Sequence, residues 1–461
     1  MDGSAGTASK LDSLQAKLEL LMLKHSVPSL SLSINTSADA ESSSRTIVLE
    51  RGEDSFKKVD FTPSGSSEAD APTLPAVQVA SLSKTLGSAF ALDFLSGHCL
   101  PPGTGGSAIT ADTPVNDVLR AYGGRFLLRD AADVEPGTCE RVLVRHLMNH
   151  SGLGMHYVHG FARAGEEEGM PPSMEELLLG PGGFRCANGQ FYERVEVAKE
   201  PGKLFAYSGG GFLVLQYLVE LIDRYDRGAT FFRRIEEITR PFLDRLGMHD
   251  FTFQPEGLPP SPRTYYPQHF NDEAQPVPRW LFPSFAAGST GTTKDFVLVL
   301  KHLTDAFQGT VADGPLSQTL AQQMLRPVPV SGGFEFMRSQ PGLGTFILPA
   351  GENKVMIHQG ANEGVRCFYC QCFSGPDLGK GFIISTIGDE SAMRFNCEAV
   401  ILVLAALDFR GIDFPEGLDD VASLDLAAGL DLSHIPQEQR VNTGLKETVL
   451  ARFRPEPRPA A

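Results

Sequence analysis

The chain lacks several features that mark membrane, secreted or nucleic-acid-binding proteins. Its longest uninterrupted apolar run, residues 399–407, is far shorter than the ~18 residues that a membrane-spanning helix needs. Acidic residues outnumber basic ones and give a net charge of -16, so there is no excess of basic residues for nucleic acids or anionic lipids. We therefore expect neither a nucleic-acid partner nor a membrane span.

Cysteine is also scarce, and its number is odd. Seven cysteines are spread through 461 residues, whereas a disulfide framework is typical of small secreted domains with closely spaced cysteines. The first residues, 1–7, lack the order of basic and then apolar residues that begins a secretory signal. These absences predict reduced thiols and a cytoplasmic location.

The G-x-S-x-G motif of α/β-hydrolases is missing too, but another serine motif is present. The sequence Ser81-Leu-Ser-Lys84 follows an extended apolar segment and precedes residues with helical spacing. Residues three apart on a helix share a face, so the Ser81 hydroxyl can meet the Lys84 amine. Burial lowers the pKa of a lysine and makes it a base that activates a serine. In isolation, such a tetrad is more often an ordinary helix start.

Two further stretches have residue types suited to a site. Tyr207-Ser-Gly209 ends a strand-like segment and begins a glycine triplet before a helix, where a tyrosine can pass protons. His358-Gln-Gly360 lies in a β-rich run further along the chain. Each stretch also has a structural interpretation, since a core tyrosine beside a tight turn needs no chemistry.

Two possible metal sites are less convincing. His146 and His150 are four apart, as in zinc hydrolases, but the glutamate that follows the first histidine there is replaced by Leu147. Cys367, Cys370 and Cys372 fall on both faces of a strand and so cannot converge on one ion. We predict no metal and no cofactor.

The pattern of elements predicts an α/β (α+β) fold. Strands within residues 30–50 and a hairpin within 355–387 predict an antiparallel sheet, flanked by helices at 11–25 and 392–409. A mostly helical subdomain is expected over about 85–290. Residues 1–10 are expected to be disordered, 11–411 to form the main domain, and 412–461 to be a C-terminal extension, acidic and then proline-rich.

In this order the three motifs resemble those of the serine β-lactamase and penicillin-binding-protein superfamily. The resemblance is to the class C β-lactamase-like branch, which also contains esterases, D-peptidases and transesterases. That branch has Ser-x-x-Lys, then Tyr-x-Asn, then Lys-Thr-Gly or His-x-Gly. The similarity extends over roughly 11–411 and implies a β-lactamase/transpeptidase-like fold.

The resemblance also implies roles. Ser81 would be the acylated nucleophile, and Lys84 with Tyr207 its base system. The oxyanion hole would consist of the backbone N–H groups of Ser81 and Ala361, the residue after Gly360. His358 would hydrogen-bond Tyr207 or the substrate.

Two departures from the pattern affect the expected substrate. Gly209 replaces the asparagine that binds a substrate amide, and His358 replaces the lysine that binds a carboxylate. We therefore expect a metal-independent serine acyl hydrolase of esterase or peptidase type, acting on a small-molecule ester, amide or lactam. The alternatives are a true β-lactamase or D,D-peptidase, and a catalytically silent scaffold or self-assembling protein. The oligomeric state is not predicted.

Overall fold

The computed structural model describes residues 3–37, 44–53, 55–61, 72–104, 106–161, 172–180, 192–253, 261–435 and 437–457. The strands in these ranges are β1 (Ser29–Asn35), β2 (Ser44–Arg51), β3 (Phe56–Phe61), β4 (Leu74–Pro75), β5 (Val77–Gln78), β6 (Phe251–Thr252), β7 (Thr264–Tyr265), β8 (His269–Phe270), β9 (Pro276–Val277), β10 (Thr290–Gly291), β11 (Gln340–Pro341), β12 (Phe346–Ala350), β13 (Asn353–Asn362), β14 (Val365–Ser374) and β15 (Gly381–Ile387).

Helices occur between and around these strands. They are α1 (Gly3–Lys24), α2 (Ser83–Ser96), α3 (Val115–Ala121), α4 (Val144–Met148), α5 (Met174–Leu179), α6 (Gly209–Asp226), α7 (Ile235–Arg245), α8 (Thr293–Gln308), α9 (Gln318–Met324), α10 (Gly333–Met337), α11 (Glu390–Ala406) and α12 (Gln437–Thr448). Among the described residues, no helix is both long enough and apolar enough to cross a membrane.

The main sheet joins the two ends of the chain. Its described strands run in the order β11-β12-β13-β14-β15-β1-β2-β3, and all neighbours are antiparallel. Leu30 of β1 lies opposite Thr386 of β15. The predicted sheet of N-terminal strands and C-terminal hairpin is therefore confirmed.

Alternating side chains explain why β1 is buried on both faces. Leu30, Leu32 and Ile34 point into one core, as the period of two requires. The intervening Ser31 and Ser33 hydroxyls lie on the other face, 2.8 and 2.9 Å from the Thr293 hydroxyl at the start of α8. The two buried serine hydroxyls are therefore hydrogen-bonded to the Thr293 hydroxyl and do not face solvent.

Each face of the sheet has its own helices. Helices α1 and α11 pack together on one face, with α12 against α11, while α8 covers β1, β14 and β15 from the other face. Helices α2 to α7 lie within or next to the predicted helical subdomain and share a core with α8. The mixed α/β class with a large antiparallel sheet and flanking terminal helices is confirmed.

The prediction for the N-terminal residues differs from the structure. Helix α1 starts at Gly3, so residues 3–10 are helical where disorder was expected; residues 1 and 2 lie outside the described residues. Alanine, serine and lysine in this segment are compatible with a helix. The segment therefore extends, towards the N-terminus, the helix whose Leu11 side chain is buried in the core.

The C-terminal segment is packed more closely than a tail would be. Within 412–457, apolar side chains such as Val441 and Leu445 are buried in the core beneath α1 and α11. Helix α12 can approach α11 because Gly444 has no side chain, since a Cβ there would lie only 2.4 Å from the Met393 sulfur. This extension therefore completes one layer of the fold.

Candidate active site

Ser81 lies on a strained turn between a strand and a helix. After β5, residues Ala80–Leu82 form a 3₁₀ turn that continues into α2. Ala80 has a φ of 47°, in the left-handed region that side chains other than glycine rarely adopt. Strain of this kind persists where the surrounding structure imposes it and is concentrated at functional sites. The turn leaves Ser81 partly exposed between buried neighbours.

Lys84 is buried directly behind Ser81. Its Nζ atom lies 3.2 Å from the Ser81 hydroxyl and also donates to the carbonyl of Ala286. Only 1% of Lys84 is exposed, and burial lowers its pKa to about 7. A lysine in this environment is substantially uncharged at neutral pH and can accept a proton.

The second serine of the motif has a structural role. The Ser83 hydroxyl donates to the Ala80 carbonyl at 2.6 Å, and the backbone N–H of Ser289 donates to it at 3.1 Å. Ser83 is fully buried. It therefore holds the turn to the neighbouring segment, which leaves Ser81 as the serine that faces open space.

Tyr207 lies on the other side of Lys84. It precedes Ser208, the N-cap of α6, and its ring centroid is 5.0 Å from Lys84 Nζ. Burial raises the pKa of Tyr207, and the nearby Ser81 hydroxyl offsets part of that rise. Among the described residues, the Tyr207 hydroxyl has no hydrogen-bond partner of good geometry. A buried hydroxyl with unused capacity beside Ser81 is suited to exchange a proton with a bound molecule.

The buried ring of His150 packs against Tyr207. The ring of His150 lies 4.5 Å from the Tyr207 ring, and its Nδ1 atom accepts the backbone N–H of Ser208 at 3.0 Å. Burial, with smaller contributions from Lys84 and His358, lowers the pKa of His150. His150 therefore stays neutral and fixes the backbone that carries Tyr207.

His358 occupies a different position from the one expected. Its ring packs 5.2 Å from that of Phe346, and its exposed fraction is 1%. Gln359 and Ala361 line the cavity, so the alternation of side chains along β13 turns His358 away from that wall. Burial and then Lys84 lower its pKa to about 3, so the imidazole carries no charge at neutral pH. Its expected hydrogen bond to Tyr207 is not among those formed by the described residues.

Strand β13 lies directly against the turn that carries Ser81. A Cβ at Gly360 would lie 2.7 Å from the Val79 carbonyl oxygen, so glycine is required for this approach. In the described sheet, β12 pairs with β13 only as far as Ile357. The remaining edge, with Ala361 beside Ser81 at the cavity, is therefore free to direct backbone N–H groups towards a ligand.

Gly209 is surrounded too closely to have a side chain. A Cβ there would lie 2.6 Å from a methyl carbon of Val158. The segment with Val158 is held in place by backbone hydrogen bonds from His156 to Tyr207 and from Gly209 to His156, at 3.1 and 2.7 Å. This segment therefore leaves no room for a side chain at position 209.

These groups meet at a cavity of about 730 Å³. Ser81, Lys84, Tyr207, Gly209 and Ala361 all line it, whereas His358 and Gly360 lie behind its wall. Five of the residues named from the sequence therefore meet at one cavity, and two of them do not line it.

The two histidines and three cysteines considered as metal ligands do not converge on a common point. The Nδ1 atom of His146 accepts the backbone N–H of Leu143, while that of His150 accepts the N–H of Ser208. Cys367 belongs to one core, and Cys370 and Cys372 to the other. Within the described part of the chain, no group of three or more His, Cys, Asp or Glu residues is arranged to hold a metal ion.

Sequence reasoning missed three residues at this site. Ala286, on a π-helical turn at Ser284–Gly288, accepts a hydrogen bond from Lys84. Gln359 and Asn442 line the cavity from β13 and α12. A backbone carbonyl gives no sequence signal, and Asn442 lies in the segment expected to be an appendage.

Comparisons with known proteins agree with this fold. A family model described as Beta-lactamase matches residues 75–381, and no curated protein matches the chain. The octameric penicillin-binding protein homologue from Pyrococcus abyssi is 18% identical, with a TM-score of 0.54 over 85% of this chain and 77% of that one.

Two further structures show the same fold. The β-lactamase/D-alanine carboxypeptidase from Pseudomonas syringae is 14% identical, with a TM-score of 0.54 over 87% of this chain and 99% of that one. A class C β-lactamase is 13% identical, with a TM-score of 0.53 over 88% and 98%. The family match supports a serine acyl hydrolase in the broad sense. Because the matched residues cover most of the chain and contain the Ser81 turn, Tyr207 and β13 up to Ala361, the chain belongs to the Beta-lactamase family.

Proposed function

We propose that this protein is a metal-independent serine acyl hydrolase of esterase or peptidase type, with Ser81 as the nucleophile. The observation that supports this most directly is the Ser81 hydroxyl 3.2 Å from a buried Lys84 whose pKa is about 7. A general base works best when its pKa lies near the working pH. Lys84 meets that requirement, and its distance to Ser81 is within hydrogen-bond range.

In the acylation step, Ser81 attacks the carbonyl carbon of an ester or amide. Neutral Lys84 accepts the hydroxyl proton as the new C–O bond forms, and a tetrahedral oxyanion results. Tyr207 then protonates the leaving alcohol or amine as its bond breaks, and the ammonium of Lys84 restores the Tyr207 proton. Water repeats the sequence on the acyl-enzyme and releases the acid.

The backbone N–H groups of Ser81 and Ala361 would bind the oxyanion. Both residues line the cavity, and glycine at position 360 allows β13 to lie against the turn that carries Ser81. Fixed donors that meet developing charge are worth ~3–4 kcal/mol each in comparable enzymes.

Two features favour simple esters or amides over β-lactams. The position of Gly209 has no room for an amide side chain, and the neutral His358 offers no cation for a substrate carboxylate. A small-molecule acyl donor fits a cavity of about 730 Å³.

A fluorophosphonate probe, which labels activated serines, tests the proposal. We expect labelling of the natural protein and of Ser83→Ala, and none of Ser81→Ala, with melting temperatures measured to show that both variants fold. Equal labelling of the two variants would contradict the assignment of Ser81. Turnover of p-nitrophenyl esters well above that of nitrocefin is expected; the reverse order would identify a β-lactamase.

A further inference from the structure

The ring of Tyr207 contacts three other rings. The centroid of the His150 ring lies 4.5 Å from it and that of Tyr157 5.8 Å, with 30° and 38° between the ring planes. The centroid of Phe336, on α10, lies 5.0 Å away, and its plane is only 17° from that of Tyr207. The Phe336 ring is therefore the most nearly parallel of the three and is stacked on Tyr207.

Phe336 is held by the segment that leads to Tyr207. Its ring also packs against that of Phe205, at 5.0 Å between centroids. Just before α10, the backbone N–H of Ser331 donates to the Lys203 carbonyl at 3.1 Å, and the Ser331 carbonyl accepts the N–H of Phe205 at 2.8 Å. Because these bonds join α10 to the chain that carries Tyr207, the two stacked rings keep a fixed spacing.

The C-terminal extension supports α10. Helix α12 packs against α10, and the Nζ atom of Lys446 donates to the Glu335 carbonyl at 3.3 Å. Met337, which follows Phe336, is fully buried in the core that also contains Leu445 of α12. The support of Phe336 therefore includes residues beyond 381, where the family match ends.

Phe336 can affect the reaction only through Tyr207. Its side chain has no polar atom, and it is not among the described residues that line the cavity. In acylation, the C–O bond to the leaving alcohol breaks, the electron pair stays on the alcohol oxygen, and that oxygen takes the proton of the Tyr207 hydroxyl. A group displaced by about 1 Å can cost ~100-fold in rate. The stacked ring limits how far the Tyr207 ring tilts and so determines where its hydroxyl lies.

We propose that Phe336 is a positioning residue that holds the Tyr207 hydroxyl at the leaving group of the substrate. This inference rests on the proposed function, in which Tyr207 gives a proton to the leaving alcohol or amine. It also gives the C-terminal extension an indirect part in acylation, because α12 supports the helix that carries Phe336.

Two esters of one acid test this role. p-Nitrophenyl butanoate loses a weakly basic anion that needs no proton, whereas ethyl butanoate loses a strongly basic one that does. In Phe336→Leu, kcat/KM should fall by about tenfold to hundredfold for the ethyl ester and by about twofold or less for the p-nitrophenyl ester. A smaller amount of folded protein would instead lower both values by the same factor. An unchanged ratio of the two values would overturn the inference.

A second phenylalanine provides the matched control. Phe307 is partly buried like Phe336, and its ring packs against that of Phe373 with 4.9 Å between centroids. Phe307→Leu should therefore lose a comparable ring contact and leave the ratio of the two kcat/KM values unchanged. The same change of ratio in both variants would overturn the inference, since any loss of aromatic packing would then have this effect. Melting temperatures show that both variants fold.

Tyr207→Phe distinguishes this inference from the proposed function. It should lose activity on the ethyl ester far more than on the p-nitrophenyl ester. If it does so and Phe336→Leu does not, Tyr207 is the acid and the role of Phe336 alone is overturned. If the natural protein hydrolyses neither ester, crystal structures of it and of Phe336→Leu still give the distance between the Tyr207 and Ser81 hydroxyls. An increase of about 1 Å in the variant supports the positioning role, and an unchanged distance overturns it.

Discussion

Replacing Lys84 by methionine should make the protein more stable and inactive. Methionine has a similar length and no charge, so it removes the cost of burying an amine. The difference between a pKa of about 7 in the folded chain and the ordinary 10.5 corresponds to ~5 kcal/mol. Loss of the hydrogen bonds to Ser81 and Ala286 destabilises the variant and offsets ~1–3 kcal/mol of that gain. A net stabilisation of ~2–4 kcal/mol is therefore expected at pH 6.

The stability gained by Lys84→Met should decrease as the pH rises. Between pH 7 and 10.5 the unfolded chain binds a proton at Lys84 that the folded chain has lost, so the stability of the natural protein rises with pH. The stability of Lys84→Met lacks this contribution. The difference between the two proteins should therefore narrow by ~3 kcal/mol between pH 6 and pH 9. The same titration makes kcat/KM of the natural enzyme rise with pH to a plateau above about 7.

Urea unfolding at pH 6, 7, 8 and 9, followed by circular dichroism, measures this difference. Lys203→Met, at an exposed lysine, is the matched control for the change of side chain. A stability gap between Lys84→Met and the natural protein that stays constant over this range would refute the reasoning, because it would mean that folding does not alter the proton affinity of Lys84.

Three other substitutions test the close contacts and the buried charge. Gly209→Asn should destabilise the protein by ~1–3 kcal/mol in urea unfolding, and a second substitution, Val158→Ala, should restore much of the loss. If the two substitutions changed the free energy of unfolding additively, the contact between these residues would be contradicted. Gly360→Ala should slow fluorophosphonate labelling by about tenfold or more, since its Cβ would lie 2.7 Å from a backbone carbonyl oxygen, whereas Gly97→Ala, with ordinary contacts, should not. Burial raises the pKa of Glu220 from 4.5 to about 7, so its cost to stability grows as pH rises between these values. Glu220→Gln should consequently stabilise the protein by ~2–3 kcal/mol more at pH 8 than at pH 5, and an equal effect at both would argue against the shift.

The fold and the central groups of the site were predictable because their signals are local. The Ser81 to Lys84 spacing, the glycines around Tyr207 and the β-rich run after His358 each describe a short segment that folds in one way. The order of the three motifs along the chain indicated which distant segments meet in the fold, and periodicity alone does not show this. The sheet that joins the two ends of the chain was predicted by the same reasoning, and the structure confirms it.

The errors came from contacts between distant segments. Val441 and Leu445 are four residues apart and so share one helix face, but this local spacing does not show that the face packs beneath α11. The position of His358 depended on which face of β13 meets the cavity, which a motif does not specify. The hydrogen bond between the Gln359 and Asn442 side chains joins residues 83 apart in sequence, and neither has a distinctive pattern around it.

The neighbouring placement of β1 and β15 has a consequence for biosynthesis. Leu30 leaves the ribosome about 350 residues before Thr386, its partner in the sheet. At ~5–20 residues per second, the first three strands wait roughly 20–70 s with one long edge unpaired. Nascent chains stalled before residue 381 thus present an open strand to chaperones or to one another, and native assembly of the sheet begins late in translation.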